Sequence, residues 1–190
     1  MNFMGYRRPD GKAGIRNKVL ILPTCVCSSE TCRIVADQVE GAIYTSNQAG
    51  CSEVEQNLKI CYDMYSGFAA NPNIYGTVLI GLGCEGCTPD KMADAIREKT
   101  NKPLAVVVIQ DEGGTVNAIN KAVKYAREFV QEASLVQKEE IPLSELFIGL
   151  ECGGSDATSG LAANPVVGKV SDLVVDNGGS AVMSETTEFI

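Results

Sequence analysis

Cysteine is the residue type in this chain with the clearest capacity for chemistry. The 190 residues contain eight cysteines and no histidine. Without an imidazole, any acid/base work within the chain falls to Glu, Asp, Lys, Tyr, Cys or a metal-bound water. The spacings Cys84-x-x-Cys87 and Cys25-x-Cys27 suit a soft metal or the edge of an iron–sulfur cluster, although no second CxxC completes a zinc ribbon. Buried structural thiols and redox chemistry are the alternatives that spacing leaves open.

A second candidate for chemistry is the glycine-rich stretch 149–168, GLECGGSDATSGLAANPVVG. A short apolar strand is predicted to end at Leu150, and the glycines that follow let the backbone approach a ligand closely. Asn164 as N-cap and Pro165 at the first helical position predict a helix whose free N–H groups favour an anion. A tight connection without a ligand fits the same pattern. The candidate binding residues of this stretch are Gly153, Gly154, Ser155, Asp156 and Asn164.

The N-terminal residues 1–17 form a basic arm in an otherwise acidic chain. Arg7, Arg8 and Arg16 lie there among turn-forming residues, whereas the whole chain has a net charge of −8. Because guanidinium groups bind carboxylates in a bidentate manner, these arginines are candidate ligands for an acid substrate. A solvated tail explains the same charges.

Composition and charge exclude several classes of partner. The net charge of −8 argues against nucleic acid or an anionic membrane surface, since both require a basic face. No apolar run approaches the ~20 residues of a membrane helix, and residues 1–12 lack the apolar core of a signal peptide. We therefore expect a cytoplasmic protein, in which cysteines are thiols, metal ligands or catalytic groups rather than disulfides.

Apolar strands alternate with amphipathic helices along residues 18–190, which we interpret as a single α/β domain. A capping box at Ser52 and Glu55 predicts the start of the second helix, and the clearest helix covers 116–133. Such alternation predicts a three-layer, Rossmann-like, mostly parallel sheet of about six strands with helices on both faces. The predicted strands are 19–22, 42–45, 75–81, 104–109, 146–150 and 181–183.

The unusual residues gather at the predicted carboxyl ends of these strands, where open parallel sheets bind their ligands. Glu85 and Glu151 lie at such ends as candidate bases or ligands, and a solvated or helix-capping role for each stays open. Cys32 and Cys61 are predicted to be core residues. The other six of the eight cysteines are edge residues: Cys25, Cys27, Cys51, Cys84, Cys87 and Cys152.

Four segments together resemble the altronate and galactarate dehydratase family, which includes the large subunit of sulfolactate sulfo-lyase. They are 5–17 (GYRRPDGKAGIRN), 81–85 (GLGCE), 149–168 and 184–188 (SETTE). The resemblance implies a lyase that removes water, or sulfite, from a 2-hydroxy acid to leave a 2-keto product. We accordingly predict a metal-dependent hydro-lyase acting on a sugar acid such as altronate or galactarate, giving a 2-keto-3-deoxy acid.

The resemblance also implies a cofactor, a ligand set and partners. Cys27, Cys51, Cys84 and Cys152 correspond to the family's cysteines, so they are candidate ligands for Fe²⁺, an iron–sulfur cluster or another divalent metal. We expect their sulfurs to converge along one rim. Asn47 takes the place of a histidine usual in the family and is counted among the substrate-binding candidates. The family's catalytic core is about twice as long, so we also expect a missing C-terminal half or partner subunit, and a homo-oligomer.

Other functions stay open at this point. One is a sulfo-lyase acting on sulfolactate, and another is a non-catalytic fragment or subunit that binds a metal or ligand. The missing histidine and the chain length favour the second of these. An NAD-dependent oxidoreductase is disfavoured, because the first strand-to-helix turn, TCVCSSE, lacks the glycines that a pyrophosphate needs.

Overall fold

The computed structural model describes residues 1–154 and 156–185, and its chain divides into two compact units. We call Tyr6–Lys138 the large unit, and Met1–Gly5 together with the chain from Glu139 onward the small unit. This division differs from the predicted arm 1–17 and domain 18–190. Residues 2–5 are not a tail, because they pair antiparallel with residues 139–142.

The described residues contain nine strands and five α-helices. The strands are β1 (Asn2–Arg7), β2 (Ala13–Gly14), β3 (Lys18–Pro23), β4 (Ala42–Tyr44), β5 (Ile74–Gly81), β6 (Leu104–Val108), β7 (Glu139–Pro142), β8 (Phe147–Leu150) and β9 (Ser180–Met183). The helices are α1 (Val26–Asp37), α2 (Glu55–Ala70), α3 (Pro89–Lys99), α4 (Thr115–Leu135) and α5 (Asn164–Asp176). A 3₁₀ turn at Leu143–Glu145 and a π-helical turn at Ser159–Ala163 complete the chain.

The large unit is a three-layer α/β structure, as predicted. Its parallel sheet has the strand order β4-β3-β5-β6. Side chains alternate across β3, so that Val19 and Ile21 pack with α1 and α4 on one face. Leu20 and Leu22 pack with α2 and α3 on the other face. Helices therefore cover both faces of a buried parallel sheet.

The predicted sheet of about six strands is wrong in its strand count. Four of the predicted strands form the sheet of the large unit. The remaining two, β8 and β9, pair in parallel with each other in the small unit, with α5 as the connection between them. Within the described residues, the β8-α5-β9 motif therefore has no strand paired with the four-stranded sheet.

Two predicted helix starts differ from the structure. The helix headed by Ser52 begins instead at Glu55, because the carbonyls of Gly50 and Cys51 accept the N–H groups of Cys87 and Gly86 and hold that segment out of the helix. Asn164 is not an N-cap, since it has helical dihedral angles and donates its N–H to Ser159 of the preceding π-helical turn. The free N–H groups predicted at Asn164 are therefore absent from that residue.

The small unit buries few of its apolar side chains. Along α5 the buried residue is Val174, whereas Val166 and Leu173 are exposed by 62% and 50%. Among the residues described, no helix combines the length and apolar character needed to cross a membrane.

Candidate functional site

Three exposed thiols lie at the carboxyl edge of the parallel sheet, each after a different strand. Cys27 follows β3 in the first turn of α1, Cys51 lies in the loop between β4 and α2, and Cys84 follows β5. We call Cys27, Cys51 and Cys84 the thiol rim. Parallel pairing of β4, β3 and β5 puts all three loops at one edge of the sheet, as the sequence predicts.

Backbone hydrogen bonds tie the three rim loops together. The Val26 N–H donates to the carbonyl of Ala49 at 3.1 Å, and the Gly86 N–H donates to the carbonyl of Cys51 at 3.1 Å. Gly50 allows the close approach of these loops, because a Cβ there would lie 2.2 Å from the Thr24 oxygen and its φ is +92°. The rim is therefore a fixed surface rather than three independent loops.

Glu85 lies beneath the rim and organises the turn after β5. Its side chain is 4% exposed, and its carboxylate accepts hydrogen bonds from the Thr24 hydroxyl and from the N–H groups of Leu82 and Gly83. Burial acts to raise the pKa of this carboxyl, but the hydrogen bonds from Thr24 and the turn amides outweigh it and leave the pKa lowered. A buried carboxylate held ionised in this way fixes the turn that carries Cys84.

Asn47 is a second buried residue whose hydrogen bonds hold segments of the rim together. It is fully buried, and its amide donates to the Thr24 carbonyl at 2.9 Å and contacts the Cys61 sulfur at 3.6 Å. Its side-chain oxygen accepts the Ala49 N–H at 2.9 Å. Asn47 thus joins the end of β3 to the loop that carries Cys51, and it also lines a cleft of 370 Å³.

The surroundings of Cys27, including the other rim thiols, shift its pKa. The pKa of Cys27 is raised, first by the neighbouring Cys25 and then by burial, with Cys51 and Cys84 adding to the effect. The role of the three rim thiols and Cys152 as metal ligands stays a prediction. Among the described side chains, no group of three or more Cys, Asp, Glu or His is placed to hold a metal ion. The rim is a thiol cluster without a preformed metal geometry.

The predicted carboxylate-binding arginines are not part of the thiol rim. Arg8 is 4% exposed, and its guanidinium donates to the carbonyls of Pro72 and Arg16 and to the side chain of Asn17. These partners directly precede β5 and β3, so Arg8 lies at the amino edge of the sheet. The length of β3 separates this edge from the rim by roughly 20 Å.

The remaining two arginines share this edge and differ in exposure. Arg16 is exposed, and its backbone N–H donates to the Asn73 side chain at 2.9 Å. Arg7 lies in β1, where its guanidinium donates to the Gly11 carbonyl at 2.8 Å. Burial lowers the pKa of Arg8. Arg8 is therefore a structural residue that anchors the N-terminal segment.

The candidates of the glycine-rich stretch all belong to the small unit. Glu151, Cys152, Gly153 and Gly154 are exposed after β8, and the Cys152 N–H donates to the Glu185 carboxylate at 3.0 Å. Ser155 lies outside the described residues, as do residues 186–188 of the SETTE segment. Residues 151–154 thus form an exposed segment without regular secondary structure in the small unit.

Asp156 has a capping role that the sequence analysis assigned to Asn164. Its carboxylate accepts the N–H groups of Thr158 and Ser159 at the start of the π-helical turn. Hydrogen bonding from Thr158 lowers the pKa of Asp156. The pattern Asp-x-Thr-Ser is a recognisable cap signal, so this role was accessible from the sequence.

Two residues important to the rim were not identified from the sequence. Thr24 was read as part of a turn, yet its hydroxyl and carbonyl contact Glu85 and Asn47. Cys61, predicted to be a core residue, is buried but also lines the cleft beside Asn47. A polar residue directly after a buried strand was the available signal for Thr24, whereas nothing in the sequence indicates that Cys61 meets Asn47.

Two family models match this chain in succession. The model described as D-galactarate dehydratase/altronate hydrolase, second domain, matches residues 5–134. The model described as D-galactarate/altronate dehydratase, C-terminal, matches residues 143–190. These two stretches correspond closely to the large unit and to the main part of the small unit.

Curated relatives carry the same family descriptions. The chain is 37% identical to the (2R)-sulfolactate sulfo-lyase subunit beta of Chromohalobacter salexigens, over 98% of this chain and 47% of the relative. It is 31% identical to altronate dehydratase of Bacillus subtilis and 31% identical to galactarate dehydratase (L-threo-forming) of Escherichia coli, in each case over 98% of this chain and 39% of the relative. The chain thus spans less than half the length of these relatives. With both family models matched in order, the chain belongs to the galactarate and altronate dehydratase family.

Proposed function

We propose that this chain is part of a hydro-lyase that removes water from a sugar acid such as altronate or galactarate and leaves a 2-keto-3-deoxy acid. The observation that carries the proposal is the match of both family models along 5–134 and 143–190. Support also comes from the thiol rim, which occupies the edge where parallel sheets bind small molecules. The names of the dehydratase relatives supply the substrate class.

The reaction requires a base and stabilisation of negative charge. Removing a proton next to a carboxylate builds charge on that acid group, so basic or hydrogen-bonding groups must face it. Because the chain has no histidine, carboxylates are the natural candidates for proton transfer. Glu85 is poorly suited to be the base, since its lowered pKa and three hydrogen bonds hold it ionised and occupied. We assign Glu85 to positioning and propose Glu151, which is exposed, for proton transfer.

Each unit, taken by itself, contains a group suited to binding the acid. In the large unit Arg16 is exposed, at the edge of the sheet opposite the thiol rim, and in the small unit the glycines at 153 and 154 have open space around them. Exposed guanidinium and backbone N–H groups are suitable donors to a carboxylate. Arg8 is left out of this role because its donors are committed within the fold.

The requirement for iron remains part of the proposal. The candidate ligands are the rim thiols and Cys152, and a bound divalent ion would polarise the substrate acid group. The described side chains do not form a preformed site, so no step of the reaction is assigned to the metal. The homo-oligomer and a partner chain are likewise predictions.

A sulfo-lyase acting on sulfolactate is the second candidate. It is favoured by one observation, the 37% identity to a relative named as the beta subunit of such an enzyme, against 31% to the dehydratases named above. In both candidates a group is lost from the carbon next to a 2-hydroxy acid centre. Separate assays with sugar acids and with sulfolactate distinguish the two candidates.

Turnover of defined acids by anaerobically purified protein tests this proposal. The protein is prepared in the longest form that its gene encodes, with any partner that copurifies, and is given altronate, galactarate and sulfolactate in separate assays. The 2-keto product or released sulfite is quantified, and metal content is measured on the same sample. We expect turnover of one sugar acid, lowered by at least about tenfold in Cys84→Ser because one proposed metal ligand of the thiol rim is replaced.

The matched control is Cys32→Ser, which changes a thiol buried in the core of the large unit. We expect this variant to keep its turnover if it remains folded by circular dichroism. Release of sulfite alone would establish the sulfo-lyase instead. Binding of the acids without turnover of any of them, in a folded and complete preparation, would contradict both enzymatic proposals.

A further inference from the structure

Cys61 and Cys87 form a buried thiol pair below the rim. Cys61 lies within α2, and Cys87 lies in the loop between β5 and α3. Their sulfur atoms are 3.6 Å apart, and the two residues are 4% and 0% exposed. Both residues belong to the hydrophobic cluster on this face of the sheet, and their sulfurs are in contact across 26 positions of the sequence.

The pair can be reached by a small molecule from one side. Cys61 lines the 370 Å³ cleft together with Asn47, Ile60, Met64 and Tyr65. A water molecule occupies about 30 Å³ of liquid, so a cleft of this size admits hydrogen peroxide or a small organic hydroperoxide. Cys87 is not a lining residue of the cleft. Cys61 is therefore the sulfur that an entering oxidant would meet first.

The groups around Cys61 favour its thiolate form. Hydrogen bonding with Cys87 lowers the pKa of Cys61 to about 7, and the amide of Asn47 assists by donating to the sulfur. Burial and the carboxylate of Glu53 oppose this effect. Tyr65 stays neutral beside the pair, because burial raises its pKa to about 12. The pKa of Cys87 is raised by its partner, so Cys87 keeps its proton while Cys61 ionises.

We propose that Cys61 and Cys87 are a reversible oxidation site that forms a disulfide in response to hydroperoxides. In the first step the Cys61 thiolate attacks the peroxide, so that an S–O bond forms, the O–O bond breaks and water or an alcohol leaves with one added proton. In the second step the Cys87 sulfur attacks the resulting sulfenic acid, the S–S bond forms, and the departing hydroxide takes the Cys87 proton as water. The two thiols together lose two electrons, and the peroxide gains them.

The disulfide would connect the loops that carry the thiol rim. A disulfide bond is about 2.05 Å long, so the two sulfurs must approach by about 1.5 Å for the bond to form. The N–H of Cys87 already donates to Gly50 at 2.8 Å, next to Cys51. Oxidation would therefore fasten α2 to the segment between Cys84 and α3, and would remove the thiolate that Asn47 contacts. The modification needs no dehydratase activity, so its test is independent of the proposed function.

Peptide mapping after peroxide treatment tests the proposal in the full chain. Fully reduced protein is exposed to hydrogen peroxide at neutral pH, free thiols are alkylated, and the digest is analysed by mass spectrometry. We expect a linked peptide joining residues 61 and 87, a mass decrease of about 2 Da for that pair, and its reversal by dithiothreitol. The exposed cysteines at 27, 51, 84 and 152 serve as internal reporters of general oxidation.

Variants assign the order of the two steps. Cys87→Ser removes the resolving sulfur, so we expect Cys61 to accumulate as a sulfenic acid that dimedone labels. Cys32→Ser is the matched control, because Cys32 is equally buried but belongs to the hydrophobic cluster on the opposite face of the sheet. This control should form the 61–87 link at the rate of the unchanged protein.

The result that would overturn the proposal is measured with the unchanged protein. Residues 61 and 87 would both be recovered as alkylated thiols under conditions that oxidise the exposed cysteines. Cross-links that join Cys61 or Cys87 only to other cysteines would overturn it as well. Because both outcomes are read without a substitution, a variant that fails to fold does not affect the decision.

Discussion

The large and small units use the same β–α alternation but bury very different shares of their apolar side chains. In β5, Val78, Leu79 and Ile80 are fully buried, whereas Phe147 in β8 is 65% exposed. The sheet of the large unit has four strands and helices on both faces, whereas β8 and β9 pair only with each other within the described residues. A parallel strand is buried when neighbours cover both of its faces, and one βαβ motif cannot supply them.

The same contrast applies to charged groups. Glu85 and Lys102 of the large unit are buried and hydrogen-bonded, whereas Glu151 and Lys169 of the small unit are exposed. Burial changes the cost of a charge, because protein interior solvates it less well than water does. Residues of identical type should therefore respond differently to substitution in the two units.

The largest expected difference concerns leucine. Leu79 is fully buried in β5 and Leu173 in α5 is 50% exposed. We expect Leu79→Ala to lower the free energy of unfolding by about 2 to 5 kcal/mol through lost burial and cavity formation. Leu173→Ala should change it by less than about 0.5 kcal/mol. Urea denaturation followed by circular dichroism measures both, and similar losses would contradict the contrast between the units.

The next difference concerns the carboxylates. Glu85→Gln puts an amide NH₂ where the turn N–H groups now donate, so we expect a loss of about 1 to 3 kcal/mol in the free energy of unfolding. Glu151→Gln should have little effect on stability. Because the pKa of Glu85 is lowered on folding, its contribution is present above the unfolded value of about 4.3 and is lost as pH falls through the folded value.

Denaturation at pH 7 and at pH 3 provides the check on this prediction. The loss in free energy of unfolding that Glu85→Gln causes, relative to the unchanged protein, should be largest at pH 7. It should become smaller in acid, as the pH falls through the lowered pKa of Glu85. If this loss were the same at both pH values, the charge of the Glu85 carboxylate would contribute nothing to stability.

The last expected difference concerns lysine and appears in the pH dependence of unfolding. Burial lowers the pKa of Lys102 to about 8, with Arg8 adding to the effect, while its ammonium donates to the Asn71 carbonyl at 2.6 Å. Unfolded lysine has a pKa of about 10.4, so between these values the unfolded chain binds more protons and stability rises with pH. Lys102→Met should flatten this rise by at most about 1.4 kcal/mol per pH unit.

Lys169→Met is the control for this measurement, since the Lys169 side chain is 85% exposed. Unfolding is measured from pH 7.5 to 10.5 for both variants and for the unchanged protein. The control should reproduce the slope of the unchanged protein, and an equal slope in Lys102→Met would show that Lys102 keeps an ordinary pKa.

Local sequence patterns predicted much of the large unit and misplaced two helix starts. The end of β5 was predicted at the correct residue and the end of β3 within one residue, because buried parallel strands are continuous apolar runs that polar turns terminate. The Ser52 capping box failed because Gly50 and Cys51 bond to a loop more than thirty positions away. The strands β1, β2 and β7 were missed, since they are short, carry polar residues and depend on pairing with distant segments.

In the candidate site, too, local patterns were predicted correctly and contacts between distant residues were not. The sequence placed Cys27, Cys51 and Cys84 at one edge, because parallel strands must end together. It could not place Arg8, whose guanidinium reaches Pro72, a residue 64 positions away. The arginines and thiols were therefore grouped by chemistry in the sequence and separated by the sheet in the structure.

By itself, the sequence determined the α/β alternation, the family and the loops that carry thiols, since each follows from local period, composition or motif. Only the tertiary structure decided which polar groups are buried: Glu85 under its own turn, Asn47 between two loops, and Cys61 against Cys87. The physical reason is that burial and hydrogen bonding join residues distant in sequence. A side chain's identity fixes what it is able to bind, whereas packing fixes what it meets.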